Sequence, residues 1–198
     1  ADPDYALPTE IWREVVARRQ RYEQINADFN AGKIQNINDF ITYNLDIEAY
    51  AQDWLSGLTD PLSIRAFYFN NLTKITVLDP TCGSGAFLFA ALNILYPLYE
   101  ICLDKMAGMA GPKFKDFRDE LQRVGDHSNE EHFIYKSIII NNLFGVDIME
   151  EAVEICKLRL FLKLVAQIDD VNKIEPLPDI DFNIKSGNTL VGYASLQE

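Results

Sequence analysis

The sequence predicts an α/β protein, parallel strands flanked by helices, preceded by a helical N-terminal segment. Three observations carry this. A short β-branched and apolar run, Ile75 to Leu78, passes through Asp79-Pro80 into a Gly83-Ser84-Gly85 loop and leaves as an apolar helical pattern from Ala86. A second run, Leu143 to Ile148, ends beside a carboxylate, Asp147, and again opens a helix. A third, Asp181 to Lys185, runs into a turn over Ser186 to Leu190. Right-handed crossovers set such strands in one parallel sheet with all three ends on one edge. Ligands of open α/β sheets bind there. The division predicted is a helical segment over 1–74 and a strand-bearing part over 75–198.

The bulk numbers fit. With 198 residues, 48% hydrophobic and 12% aromatic, the chain can bury a real core. Its net charge of -12 repels nucleic acid, so the whole surface cannot be a DNA-binding face. Cys82, Cys102 and Cys156 are widely spaced, which reads as reduced thiols of a cytoplasmic protein, and no metal site is expected. No apolar run approaches ~18 residues, so no membrane partner is expected.

Thr9 to Phe29 reads as a helix capped by Thr9 and ended by Gly32. Its Arg18-Arg19-Gln20-Arg21 cluster is the only basic one, read as a solvated face in preference to a DNA contact. Asn36 to Leu58 holds one or two helices, with Asn38 as a cap. Asp60-Pro61 starts another, proline taking the first helical position. The aromatics Tyr43, Tyr50, Trp54, Phe67, Tyr68 and Phe69 read as core in preference to a base-stacking platform. Ala86 to Met106 is a long apolar helix that Pro97 should kink. Gly108 to Gly111 breaks the chain, and Lys113 to Val124 is a charged, peripheral helix. Glu130 to Asn142 reads as a helix, although Ile138-Ile139-Ile140 also suits a strand. Met149 to Ala166 is helical and apolar on more than one face, so it should be covered. Arg159 and Lys163 share a solvated face of it. Ile168 to Pro178 is a loop.

Chemistry gathers at the three strand ends. The glycines let backbone approach a ligand, and the helix from Ala86 presents its N-terminal amides. A carboxylate such as Asp147 can take two ribose hydroxyls. Asn188 offers a donor and an acceptor to an adenine edge, or serves only as a turn residue. Asp147 could also be only a helix cap, a role compatible with ribose binding. Leu88 stands where a dinucleotide fingerprint needs its third glycine, and no Gly-Lys-Ser/Thr is present. With no lysine or arginine in or right after the loop, a cofactor without phosphates fits better. S-adenosylmethionine suits, its zwitterionic end meeting backbone groups and Asp79.

Leu78-Asp79-Pro80-Thr81-Cys82-Gly83-Ser84-Gly85-Ala86-Phe87-Leu88 resembles the first motif of DNA methyltransferases that modify adenine at N6. Asn142 to Val153 resembles their second motif. Asp181 to Leu190 resembles the third, as found in large single-chain type II restriction-modification enzymes. The resemblance covers residues 75 to 190. It implies a partial class I, Rossmann-like methyltransferase fold and S-adenosyl-L-methionine as cofactor. Asp79, Pro80, Thr81, Cys82, Gly83, Ser84 and Gly85 would hold the methionine end. Asp147 would bind the ribose hydroxyls, Ile148 would pack on the adenine, and Asn188 would contact its edge. Phe87 and Leu190 fall within the matched motifs as further cofactor-binding positions.

The family's catalytic Asn/Asp-Pro-Pro-Tyr/Phe loop has no counterpart, since the chain contains no Pro-Pro, and neither does its upstream Thr-Pro signature. That implies the cofactor-binding part of a longer enzyme, with no catalytic residue here and no methylation by this chain alone. DNA would be a partner through the full-length protein, and the remaining methyltransferase and target-recognition segments would be others. The first strand should have an uncovered edge, through which the chain self-associates unless its N-terminal helices shield it. The alternatives are a methyltransferase of RNA or protein, or a degenerate fold kept for interaction.

Overall fold

The computed structural model describes residues 11–168 and 180–191, apart from 110 and 112. It divides into two compact units, Ala1–Tyr50 and Ala51–Glu198.

The first unit is helical. Helix α1, Trp12–Asn30, starts where the Ile11 amide donates to the Glu14 carboxylate. The expected cap at Thr9 lies outside the described residues. At its end Gly32 takes φ +70°, and the Lys33 amide reaches back to the Asp28 carbonyl. This is the left-handed terminus that glycine favours. Helix α2, Ile37–Tyr43, is capped by Asn36 and not by Asn38. The Asn36 side chain accepts from the amides of Asn38 and Asp39, and the Asp39 carboxylate accepts from the Asn36 amide in return. Asn44, at φ +53°, ends α2. Helix α3, Ile47–Gly57, carries the chain into the second unit.

In the second unit, Asp60 caps helix α4, Pro61–Ala66, with proline in the first turn. The chain then widens into a π-helical stretch, Phe67–Leu72, which nothing in the sequence singles out. Of the aromatics here, Tyr68 is fully buried, while Trp54 is half exposed with its ring edge-on to Phe67.

Strand β1 is Val77–Asp79, two residues later than expected. Helix α5, Ala86–Met109, continues through Pro97. By length and composition α5 could cross a membrane, which amends the expectation that no segment comes near that length. Its apolar character has another use. Leu88, Leu92, Leu95, Tyr99, Cys102, Leu103 and Met106 are all buried in the core.

Helix α6, Lys115–Gly125, is not wholly peripheral: Phe117 and Glu120 are buried. The Tyr68 hydroxyl donates to Glu120 at 2.7 Å, and Arg123 pairs with the other oxygen. Helix α7, Glu130–Asn141, takes the Ile138 to Ile140 run as helix, with Ile138 and Ile139 buried. Strand β2 is Leu143–Asp147 and helix α8 is Glu150–Val165. Helix α8 is not covered all round, since Ile155, Leu158 and Leu162 are half exposed. Most of the loop expected over Ile168 to Pro178 lies outside the described residues. Strand β3 is Ile184–Ser186, and Asp181 to Asn183 form a turn before it.

The three strands form a parallel sheet in the order β1-β2-β3. The fold is therefore the expected α/β arrangement, consistent with a partial Rossmann-like fold. One face of the sheet packs on the helices: Leu143, Gly145 and Ile184 are buried there, and a Cβ on Gly145 would lie 3.1 Å from Leu88. The other face carries Leu78, Phe144, Val146 and Lys185, none of them buried. Among the described residues β1 pairs only with β2. Beside its free edge runs a groove of about 460 Å³ lined by Val77, Leu78, Asp79, Pro80, Phe87, Ala90, Ala91 and Ile94.

Candidate functional site

The carboxyl ends of β1 and β2 meet at the glycine loop. Its glycines have separate reasons. Gly83 (φ +49°) and Gly85 (φ +88°) both adopt backbone that side chains disfavour. A Cβ on Gly85 would also stand 2.6 Å from the Cys156 sulfur, so that side chain would have to shift. Gly145 plays the third part from β2, where a Cβ would meet Cys82 at 3.0 Å.

The loop is tied at successive residues. The Cys82 amide donates to the Val146 carbonyl at 2.9 Å, and the Gly83 amide to Asp147 Oδ2 at 2.7 Å. The Gly85 amide closes the turn on the Cys82 carbonyl at 2.7 Å. Arg159, from α8, donates to the Ser84 carbonyl at 2.7 Å and to its hydroxyl at 3.0 Å. Its guanidinium lies 4.7 Å from the centroid of the Phe89 ring. Arg159 is exposed, as expected of a solvated face, and it also bonds the loop. This qualifies the argument from the loop's own composition: no cation adjoins the loop in sequence, yet one reaches it in space. Lys163 likewise sits 4.6 Å over the Tyr135 ring.

Asp147 does two jobs. Its Oδ2 holds Gly83, and its Oδ1 accepts from the Met149 amide at 2.9 Å where α8 begins. The N–H groups of Met149 and Gly83 hold its carboxyl below the usual carboxylate range. Each oxygen retains a lone pair for a further donor, so its bonds to Gly83 and Met149 are compatible with hydroxyl binding.

Asp79 is the buried carboxylate of the site, 8% exposed. Its Oδ1 accepts from the Thr81 amide at 3.1 Å, while Oδ2 is buried with no hydrogen-bond partner among the described residues. A buried carboxylate oxygen left unmatched is costly unless something fills the place. A cationic amino group is the complementary chemistry. This acceptor is complementary to the cationic amino group of S-adenosylmethionine.

The third strand end is joined more loosely. The Gly187 amide donates to the Asp147 carbonyl at 2.8 Å, bringing Asn188 next to the loop's partner. The Asn188 side-chain oxygen accepts from the Leu190 amide at 3.0 Å, forming a local turn. Ile148 and Leu190 are 73% and 93% exposed, apolar side chains at the open rim. Pro80 and Phe87 face the groove along β1 with Asp79. Asp79, Asp147 and the loop are therefore brought together, and Asn188 lies beside them.

The thiols are poor nucleophiles. Burial pushes the Cys82 thiol up, as do the charges of Asp147 and Asp79. Burial also pushes Cys156 up to about 12. Two positions that contact the loop lie outside the sequence-derived set. Gly145, mid-strand, carries a usable signal, because glycine inside a strand marks close approach. Arg159 carries none, since only the fold brings α8 to Ser84.

Comparison with known proteins agrees with this geometry. The family described as MmeI, DNA-methyltransferase domain, matches residues 62–190. A protein of Methanocaldococcus jannaschii, named as a type II restriction enzyme and methyltransferase, is 36% identical over 164 residues. The match covers 79% of this chain and 12% of that relative, so the chain spans a small part of the curated protein it resembles. No solved structure matches. With its motifs in order around one sheet edge and the family match running over most of its length, the chain belongs to the MmeI-type DNA-methyltransferase domain family of restriction-modification enzymes.

Proposed function

We propose that this chain binds S-adenosyl-L-methionine for a site-specific DNA methyltransferase that modifies adenine at N6. The observation that carries this is Asp79 Oδ2, buried and unmatched at the mouth of a glycine loop. In this reading Asp79 receives the amino group of the methionine end, whose carboxylate lies toward the glycine loop. Asp147 takes the ribose hydroxyls with the lone pairs left by Gly83 and Met149. Ile148 offers an apolar face to the adenine, and Asn188 its edge. The cofactor supplies the activated methyl group. This chain's residues bind and orient it.

The base-binding and proton-accepting groups lie elsewhere in the parent protein, because the printed sequence has no Pro-Pro for the family's catalytic loop. DNA contact likewise belongs to the longer protein, given the charge of -12 here. The chain alone therefore holds the donor without methylating.

Calorimetric titration tests the reading, with ATP as comparator because Arg159 brings a cation to the loop. Saturable binding of S-adenosylmethionine is expected, weakened at least tenfold by Asp79→Asn and by Asp147→Ala. Equal binding by the parent and both variants, or preference for ATP, would overturn it.

A further inference from the structure

We propose that Arg159 is a positioning residue that holds the glycine loop in its ligand-ready shape. The inference rests on the S-adenosylmethionine reading for its ligand, and on geometry alone for the clamp. The loop has two glycines at positive φ, and glycine carries the largest backbone entropy to be lost on ordering. Something must hold it. Three of its ties are made by neighbours at the base of the loop: Val146, Asp147 and the turn's own Cys82 carbonyl. Ser84, between the two glycines, is held by the guanidinium of Arg159 on α8, through both its carbonyl and its hydroxyl.

The arginine is itself prepared for this. Its charge rests over the Phe89 ring at 4.7 Å, one turn into α5, so stacking restrains the fork before it reaches Ser84. Arg159 thus links α8, α5 and the loop between them. Cys156 sits one turn earlier on the same helix, against Gly85. Helix α8 therefore presses the loop at Gly85 and draws it at Ser84, and its own start is fixed by Asp147, which also holds Gly83. A loop kept in one shape before binding spares the ligand the cost of ordering it.

The test uses Arg159→Ala, Arg159→Lys and Phe89→Leu. Amide hydrogen exchange in the ligand-free protein reads the clamp directly. Arg159→Ala should speed exchange at Gly83 and Gly85 at least tenfold, with exchange in β2 and the midpoint of thermal unfolding nearly unchanged. Phe89→Leu should give a smaller effect of the same sign. Titration with S-adenosylmethionine should show about tenfold weaker binding for Arg159→Ala. Arg159→Lys, with a charge but no planar fork, should recover only part. Parent-like exchange at both glycines in Arg159→Ala would overturn the clamp, as would equal acceleration throughout β2. A parent that fails to bind S-adenosylmethionine while Arg159→Ala still frees the glycines would overturn the ligand reading and leave the clamp standing.

Discussion

At the scale of single residues, the site depends on how closely backbones approach. Gly85 is the tightest case, combining positive φ with a neighbour sulfur where a Cβ would go. Gly85→Ala should cost about 2–4 kcal/mol, from backbone strain plus the clash. Cys156→Ala removes the clashing atom, so the double variant should recover part of the loss and leave the strain. Urea unfolding of the four proteins in a double-mutant cycle checks this. Strict additivity would show that the sulfur contact does not matter. Asp79, the loop and Asp147 were legible because each depends on a strand end or a short motif. Asn38 was misjudged as a cap because Asn36 also suits the role, and the partner that decides is Asp39, whose carboxylate returns the bond. Arg159 was invisible because its partner lies 75 residues away.

At the scale of elements, one buried asparagine joins pieces that the sequence keeps far apart. Asn142, fully buried, accepts from the Tyr99 hydroxyl at 2.8 Å. Its amide donates to the Leu72 carbonyl at 2.8 Å and to the Ile75 carbonyl at 2.7 Å. It thereby ties the end of the π-helical stretch, the approach to β1 and the middle of α5. Asn142→Leu, with the same branching and no polar atom, would take this partner from the Tyr99 hydroxyl and the Leu72 and Ile75 carbonyls. We expect a loss of about 2–4 kcal/mol, against about 1 kcal/mol for Tyr99→Phe, read as a shift of the urea midpoint at constant slope. Equal losses for the two would argue that the carbonyls find water. The same tie explains an offset between expectation and structure. Ile75 reads as strand by composition, but its carbonyl is taken by Asn142, and ladder pairing begins only at Val77. Helix α7 shows the opposite outcome: three successive isoleucines favour a strand locally, yet Asn129 caps a helix and its apolar face fills the core.

At the scale of the whole molecule, the sheet is half dressed. Parallel sheets are ordinarily buried on both faces. Here Leu78 is 61% exposed, and β1 has no described partner on its outer edge. The helices over the covered face are α5, α7 and α8; their apolar character was readable, but not that one side of α8 stays exposed. What covers the other face was not readable, because nothing in the strand pattern names a partner for it. We expect the protein to self-associate through this edge and face. Leu78→Lys should shift it toward monomer in light scattering, with the unfolding midpoint little changed. Monomeric parent protein at 100 μM would count against it.

That bare face sits on a molecule of charge -12. Like charges hold copies apart, and their reach is only about 10 Å in 0.1 M salt and shorter above it. Oily contact, by contrast, is strengthened by excluded salts such as sulfate. The two forces therefore respond in opposite directions to the same buffer, and ionic strength becomes the dial that decides whether copies of this chain meet.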